Sequence, residues 1–477
     1  MKPETGSAKK LLRAAVFVFA AWTAFAILSS RCLYADGSHE FVKVLKAQNF
    51  DAFMWSRHFA FYIFQFPLVL AVKLGVRDFS WLRFAFGLGC YLPWPLAMLC
   101  CHWLSPKNFW LVVVGCAAGY LNANFMAVGE HILAHALFWP ALFVILFARP
   151  LKPLAAVILL ATATGLLFSY ESQLFLCLAL AALTGMRLAT EDCETNLVAA
   201  RERYFSKAVF FSAFILFVIG ALIGLYALMF PELPGNYVSF FTHLWLVLTH
   251  PGWTLAWTIA WFGMTIAAAG SGKVWEFIRR PLLIFSGVLA LAIWGFWPLL
   301  APRQLDPTVQ YDNRVLDLIV PLLLLPVALI VRYYPFWLES KTNRLAWLAA
   351  VLLLVQSVWQ ISATARWQTD INQLQTILRE NRGVIPLHGS PLAQTSIEGH
   401  MFAFDWTWPC LSIALTPDRN VHCLIVSEWF INPQYRGMRW QPFDPLQPAD
   451  LPDLSCFGIN YTNYVSALQL QLGQPVR

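Results

Sequence analysis

The stretch Arg31–Asp51, RCLYADGSHEFVKVLKAQNFD, directly follows the first long apolar segment of the chain, Leu11–Ser30. It places Asp36, His39 and Glu40 close together, at the point where a chain that leaves a membrane would enter water. Titratable side chains in such a position can bind polar substrates or transfer protons at the membrane surface. This stretch is therefore the candidate site of the chain.

The composition is typical of a membrane protein with many helices. Of the 477 residues, 59% are hydrophobic and 12% are charged, and the mean hydropathy is +0.59. Soluble domains carry about 25% charged residues, roughly twice this fraction. The 22 Trp and 38 Phe fit aromatic belts at two lipid interfaces. We expect an all-α polytopic membrane protein. Because the basic residues fall mostly in short loops, the net charge of +7 does not indicate a nucleic-acid partner.

The order of apolar segments and basic loops predicts the topology. Lys9, Lys10 and Arg13 flank the start of the first apolar segment and place the N-terminus in the cytoplasm. Later clusters of Lys and Arg alternate with the apolar segments, so that each cluster falls on the cytoplasmic side and the C-terminus lies outside. About eleven spans are predicted: Leu11–Ser30, Trp81–Trp103, Phe109–Val128, His131–Ala148, Leu154–Ser169, Gln173–Met186, Ala208–Phe230, Trp253–Gly270, Leu282–Leu300, Val315–Val331 and Leu345–Ile361.

Residues 31–80 are predicted to form the first outer loop as a whole. Within it, Glu40–Phe50 has an apolar side and a polar side, which predicts a short interfacial helix. Phe59–Val76 is apolar but contains Gln65 and Lys73, so it could either span the membrane or lie on it. Counting it as a span would invert every later loop against the positive-inside rule, and an interfacial or re-entrant position is therefore predicted.

A change in composition predicts a transmembrane domain, residues 1–361, and a C-terminal domain, residues 362–477. Hydrophobic runs in the second part are short, and Pro, Trp, Asp and Asn are frequent. A helix over Thr364–Asn381 and short strands such as Val421–Val426 indicate a small mixed α/β domain outside the cytoplasm. One disulfide could form among the cysteines of this domain, which are Cys410, Cys423 and Cys456.

Three acidic residues are candidates for chemistry on the outer face. Asp36, in YADGSHE, could be a general base that accepts a proton from an acceptor hydroxyl or amine. The alternative is an ordinary polar residue after a helix. Glu130 lies between two spans joined by almost no loop, and a carboxylate so close to a membrane is costly and usually functional. With Asp36 it could form an acid/base or metal pair. Glu171 could orient a substrate hydroxyl or cap the following helix.

Two histidines of one predicted helix have the spacing of metal ligands. His131 and His135 are four residues apart on one helical face, and with Glu130 or Asp36 they could hold a divalent cation. Hydrogen bonding in the core or at the interface is the alternative. The central Glu of the stronger HExxH motif is missing, so the pattern alone has low specificity.

A cation for a lipid phosphate is predicted at Arg314, in YDNRVLD, where a span begins on the outer side. A guanidinium at that depth suits a phosphate head group through bidentate contacts, and Tyr311 and Arg303 lie nearby in the sequence. The alternative is an interfacial arginine whose side chain extends to the lipid surface. Because basic residues favour the cytoplasmic side, an outer arginine favours phosphate binding.

In these features the chain resembles the GT-C glycosyltransferases, membrane enzymes that use polyprenyl-phosphate-linked sugars. Members have an Asp in the first outer loop just after the first span, which Asp36 in YADGSHE matches, and two juxtamembrane helices, which Glu40–Phe50 and Phe59–Val76 resemble. A second acidic residue lies between the third and fourth spans, where this chain has Glu130 instead of the Asp of many members. Arg314 is similar to the basic residue that often holds the lipid phosphate.

The resemblance implies transfer of one sugar from a polyprenyl-phosphate donor to a glycan, lipid or protein acceptor on the outer face of a bacterial inner membrane. In that reaction Asp36 is expected to be the base, Glu130 to position the acceptor and Arg314 to neutralise the phosphate. A divalent cation could take part. Further substrate-binding residues expected in this site are His39, Glu40, Glu171, Arg303 and Tyr311.

Two other classes of function remain open from the sequence. A lipid or solute transporter or flippase is one, but its acidic residues would be expected within spans, and no internal repeat is visible. The other is a non-catalytic membrane scaffold subunit whose C-terminal domain binds a partner protein.

Overall fold

The fold is mostly helical and is known from a computed structural model. It describes residues 5–52, 54–121, 129–171, 173–190, 200–230, 309–335, 342–387, 407–416, 419–427, 430 and 443–472. Two predicted spans, Trp253–Gly270 and Leu282–Leu300, lie outside the described residues.

The described part of the chain contains fourteen α-helices and two strands. The helices that precede the C-terminal domain are α1 Thr5–Leu28, α2 Asp36–Ala47, α3 His58–Lys73, α4 Phe79–Tyr91, α5 Pro93–Leu104, α6 Trp110–Gly115, α7 Glu130–Phe147, α8 Pro153–Leu166, α9 Gln173–Thr190, α10 Ala200–Met229, α11 Val309–Tyr333 and α12 Thr342–Glu380. The remaining elements are β1 Gly383–Pro386, α13 Trp408–Leu415, β2 Cys423–Val426 and α14 Thr462–Gln471.

Four helices of the described part are long and apolar enough to cross a membrane, or five if the bent pair α4–α5 is counted as one span. The candidate spans are Ala8–Leu28, Glu130–Phe147, Tyr204–Met229, Thr342–Glu380 and the pair Phe79–Tyr91 with Pro93–Leu104. Four shorter apolar helices coincide with other predicted spans. A helical membrane protein is thus supported, whereas the number of eleven spans stays a prediction.

Local sequence explains where the observed helices differ from the predicted segments. The predicted span Trp81–Trp103 is two helices that meet at 43°, because the ring of Pro93 cannot continue the hydrogen-bonding ladder of α4. The predicted helix Glu40–Phe50 begins earlier, so that Asp36 lies in the first turn of α2. An acidic side chain is favourable there, because the amino end of a helix carries partial positive charge.

The longest helix, α12, runs through the boundary predicted at residues 361 and 362. It contains no Pro or Gly over its 39 residues, so nothing in its sequence interrupts the helix. It packs along α1. The Trp22 indole donates to Thr364 Oγ1 at 3.2 Å, and the Trp367 indole donates to the Ser29 carbonyl at 3.1 Å. The helix therefore connects the bundle directly to the C-terminal domain.

The C-terminal domain combines a small parallel sheet with helices and packs on α2. Strands β1 and β2 pair in register from Gly383 with Cys423 to Pro386 with Val426. Helix α13 packs on α2, where Ser38 Oγ donates to the Thr407 carbonyl at 3.4 Å. The small mixed α/β character predicted for this part is supported. Its three thiols are free, and these are Cys410, Cys423 and Cys456.

The residues that flank α3 contact two different parts of the structure. The first residues of α3 follow Arg57, which contacts the start of α7. After its last turn, the Arg77 guanidinium lies 5.1 Å from the ring centroid of Phe457 in the C-terminal domain. Between these ends α3 crosses α4 so closely that a Cβ atom at Gly89 would collide with the Phe64 carbonyl. Helix α3 therefore extends from the start of α7 to the C-terminal domain.

At the opposite end of the bundle, Arg187 of α9 caps the last turn of α7. Its Nη1 donates to the carbonyls of Val144 and Ile145 at 3.0 and 2.5 Å, and its Nη2 donates to that of Ala148 at 2.7 Å. Val144 also accepts from the Ala148 backbone N–H, whereas the later carbonyls lie where the helix has no further turn to supply donors. The cation also suits the negative end of the helix dipole. The side chain is 3% exposed, so no water could replace it easily.

We expect Arg187→Ala to destabilise the fold by about 3 kcal/mol, because it leaves buried carbonyls unsatisfied. Arg187→Lys should recover only part of this loss, since a single ammonium cannot reproduce the fork geometry. The measurement is the thermal unfolding midpoint of the purified protein in detergent.

The matched control is Arg382→Ala. Arg382 donates to the carbonyls of Arg379 and Asn381 at the exposed end of α12, where water can take its place. An Arg187→Ala midpoint no lower than that of the Arg382→Ala control would contradict the role of Arg187 as a cap.

Candidate functional site

The residues that precede α2 hold Asp36 in an unusual backbone conformation. Ala35, immediately before it, has φ 49° and ψ −125°, and Ser30 at the end of α1 also has positive φ, 54°. Such conformations are costly for residues with a Cβ and are typically retained at functional sites. The side chain of Asp36 is half-buried in the first turn of α2. The predicted base thus lies on a backbone that the surrounding packing constrains.

Glu40, one helical turn after Asp36, is buried and is 3% exposed. Its Oε2 accepts from Gln65 Nε2 at 2.9 Å, and its Oε1 lies 3.4 Å from Nδ1 of His39. The pKa of Glu40 is raised to about 8, mainly by burial. Lys43 and the hydrogen bond from Gln65 lower it, and the charges of Asp51 and Glu130 contribute to the rise. At neutral pH the carboxyl is therefore mostly protonated and can donate a hydrogen bond.

Arg57 is not among the residues predicted from the sequence, and it connects two of the predicted acids. Its Nη1 lies 3.3 Å from Glu130 Oε1, and its Nη2 and Nε lie 2.9 and 3.0 Å from Glu171 Oε1. Ser56 Oγ also donates to this Glu171 oxygen, at 3.4 Å. Because Glu130 begins α7 and Glu171 lies between α8 and α9, the arginine fixes three distant segments to one another.

This ion-pair network packs against an aromatic ring and has little contact with water. The Arg57 guanidinium lies 4.8 Å from the ring centroid of Tyr170, and its side chain is 10% exposed. Burial disfavours the charge, but Glu171 and Glu130 outweigh that effect and raise the pKa of Arg57 above its ordinary value. The arginine is therefore charged at every physiological pH, and the network carries one positive and two negative groups.

The structure brings three predicted acids, Glu40, Glu130 and Glu171, into one polar region. Asp36 and Glu40 share one face of α2, being four residues apart. The charge of Glu130 acts on Glu40, and Arg57 links Glu130 to Glu171. A hydrogen-bond donor, ionised carboxylates and a guanidinium are thus available at the end of an apolar bundle. Such a set can orient hydroxyl groups and accept a proton.

The two predicted metal ligands have aromatic neighbours. The His135 ring meets that of Trp94 edge-on at 4.8 Å, and the His131 ring lies 5.6 Å from that of Tyr170. Over the described ranges, no group of three or more His, Cys, Asp and Glu side chains is arranged to hold a metal ion. The metal site stays a prediction, and the core role that the sequence left open fits these ring contacts.

The phosphate-binding residues predicted later in the chain are only partly described. Arg303 lies outside the described residues. Tyr311 and Arg314 lie in the first turns of α11, and their side chains are outside the described part. The predicted contact of Arg314 with a phosphate therefore stays a prediction.

Arg57 could have been found by one signal in the sequence. It is a basic residue in a segment predicted to lie wholly outside, where the positive-inside rule makes arginine uncommon. Its partners are 73 and 114 residues away, so that local patterns could not identify them.

No protein-family model, no curated protein and no solved structure matches this chain.

The raised pKa of Glu40 predicts a pH-dependent stability. The folded protein binds this proton more tightly than the unfolded chain, whose carboxyl has a pKa near 4.5. The stabilisation is complete below that value and is lost as the pH rises through about 8. Glu40→Gln stays neutral at all pH values. We expect its unfolding midpoint to resemble that of the wild type near pH 5 and to exceed it near pH 9.

The control is Glu380→Gln, which neutralises an exposed carboxylate at the end of α12. Its unfolding midpoint should differ from that of the wild type by the same small amount at both pH values. A constant difference between wild type and Glu40→Gln across the pH range would contradict the raised pKa.

The ion pairs of Arg57 predict how substitutions in this network change the stability of the fold. Arg57→Met should cost about 3–5 kcal/mol, because two buried carboxylates lose their counter-charge. Adding Glu130→Gln and Glu171→Gln to this variant should recover most of the loss, since no unpaired charge then remains. Unfolding midpoints of the single and triple variants test this, and equal midpoints would contradict the network.

Proposed function

We propose that this chain is an integral-membrane glycosyltransferase of the GT-C type, which moves a sugar from a polyprenyl-phosphate donor to an acceptor at one face of the membrane. The observation that carries the proposal is the convergence of Glu40, Glu130 and Glu171 at one end of an apolar helical bundle, beside the helix whose first turn bears Asp36. A transferase for a lipid-linked sugar requires this combination, because the lipid lies in the bilayer while the reaction involves polar groups.

The path of the first loop supports a one-sided site. Helix α3 starts beside Arg57 and ends beside the C-terminal domain, and that domain also packs on α2. In our proposal α2 and α3 are interfacial helices, and residues 31–80 lie wholly on the outer face. The N-terminus is then cytoplasmic, the C-terminal domain is periplasmic, and the chain crosses a bacterial inner membrane about eleven times.

In the proposed reaction Asp36 removes the proton from the acceptor hydroxyl as its oxygen forms a bond to sugar C1. The bond between C1 and the phosphate oxygen breaks, and polyprenyl phosphate leaves with both bonding electrons. Glu40, protonated at neutral pH, is suited to donate a hydrogen bond to a sugar or acceptor oxygen. Electrostatic stabilisation of the leaving phosphate is assigned to Arg314, as the family resemblance implies.

Glu130 and Glu171 are assigned to acceptor positioning. Each keeps a fixed carboxylate through its contact with Arg57, and each is 12% exposed, so that a remaining lone pair can accept from an acceptor hydroxyl. Rigid acceptors of this kind hold a substrate hydroxyl near the base and lower the entropic cost of the reaction. No step of the proposal is assigned to a metal ion.

We expect Asp36→Asn to reduce donor turnover by at least about 10²-fold, since it removes the base but keeps the size of the side chain. The purified protein is incubated with a panel of polyprenyl-phosphate-linked sugars, and release of polyprenyl phosphate is measured. The unfolding midpoint is measured in parallel to show that the variant folds.

Glu380→Gln is again the matched control, because it removes one exposed carboxylate remote from α2 and should keep full turnover. Equal turnover by Asp36→Asn and wild type would remove Asp36 from its role. Absence of turnover in the wild type with every donor, together with vectorial lipid movement in liposomes, would replace the proposal by a flippase.

A further inference from the structure

A second buried cation, Arg31, lies at the end of α1 on the side of the candidate site. It is 1% exposed, and its Nη1 donates to Thr364 Oγ1 at 2.7 Å and to the Gln360 carbonyl at 3.4 Å. The guanidinium lies 5.7 Å from the ring centroid of Trp22. Burial lowers the pKa of Arg31, against the influence of Tyr91, Tyr120 and Tyr34. Three phenol groups therefore lie within electrostatic range of this cation.

These phenols belong to a continuous group of rings. Trp22 lies 5.8 Å from both Tyr91 and Tyr120, and Tyr120 stacks on Trp94 at 5.3 Å. Tyr91 and Trp94 flank the bend between α4 and α5 and are 2% and 1% exposed. The hydroxyl of Tyr91 and the indole N–H of Trp94 find no hydrogen-bond partner among the residues that the structure describes.

Unsatisfied buried donors are uncommon and expensive, particularly in a protein surrounded by lipid. An indole N–H and a guanidinium can only donate, and a phenol donates readily to an anion. Arg31 and Tyr91 both contact the Trp22 ring, and Trp94 stacks on the neighbouring Tyr120, so these donors and a positive charge belong to one group of rings. A phosphate has several anionic oxygens and forms strong hydrogen bonds to such donors.

We propose that Arg31, Tyr91 and Trp94 form a phosphate-binding site, whose ligand is the phosphate of a polyprenyl lipid. The choice of that lipid as the source rests on the proposed function, and the site adds to the predicted contact at Arg314. Tyr34 connects the two centres, because the charges of Arg31 and Asp36 both act on its phenol.

The test is binding of a polyprenyl phosphate to the purified full-length protein in detergent, by microscale thermophoresis, without any turnover. We compare it with the matching polyprenol, which lacks phosphate, and with inorganic phosphate. Tyr91→Phe should weaken lipid-phosphate binding about tenfold, which is the loss of one hydrogen bond to a charged group. Its ligand-free unfolding midpoint should stay equal or rise, since the lost hydroxyl has no partner within the described part of the chain.

Tyr461→Phe is the matched control. Its hydroxyl, in the C-terminal domain, is also buried without a partner among the described residues, so the variant removes an equivalent group away from Arg31. It should bind the lipid phosphate as the wild type does. Arg31→Lys keeps the charge but loses the guanidinium fork, and it should bind more weakly than wild type at an unchanged pH.

Unchanged binding by Tyr91→Phe, or equal binding of polyprenol and polyprenyl phosphate, would overturn the site. Binding of inorganic phosphate as tight as that of the lipid, with the same loss in Tyr91→Phe, would support the site with a free anion as its ligand. The outcome is independent of the turnover assay with Asp36→Asn. Loss of turnover there with unchanged binding by Tyr91→Phe would refute the phosphate site alone.

Discussion

The arrangement of the candidate site depends on one buried arginine between two carboxylates. Arg57 draws together the start of α3, the first turn of α7 and the connection after α8. Without a counter-charge, Glu130 and Glu171 would repel each other in a region with little water, and the segments that carry them would separate. The same contacts set the distance between these acids and α2, and therefore the environment in which Glu40 keeps its proton.

A second connection runs along the bundle rather than across it. Helix α12 packs against α1, bonds to Arg31 through Thr364, and ends at the sheet of the C-terminal domain. That domain in turn packs on α2 through Ser38 and on the start of α4 through Phe79, whose ring lies 6.4 Å from that of Phe457. The first loop is consequently enclosed between the bundle and the C-terminal domain, which restricts the access of water to its carboxylates.

The sequence was informative where chemistry is local and uninformative where it depends on distant partners. Apolar segments predicted the helices, and their position beside those segments made Asp36, Glu130 and Glu171 candidates, since charge near lipid is costly. Arg57 was missed because its function exists only in contact with those acids. The proton on Glu40 was unpredictable for the same reason, as burial arises from packing against Gln65. Helix α12 continues across the predicted domain boundary because its sequence contains no helix-breaking Pro or Gly. The change in overall composition at that boundary did not reveal this local feature.

The central claim is that the first loop and the C-terminal domain form one site on a single face of the membrane. The most direct test keeps one cysteine at a time, with the other cysteines replaced by Ser, and labels intact cells with a membrane-impermeant maleimide. The three positions are the native Cys456, Lys73→Cys at the last residue of α3, and Lys9→Cys before the first span. We expect Cys456 and Lys73→Cys to be labelled together and Lys9→Cys only after permeabilisation. Labelling of Lys73→Cys together with Lys9→Cys, and not with Cys456, would mean that α3 crosses the membrane and would contradict the account.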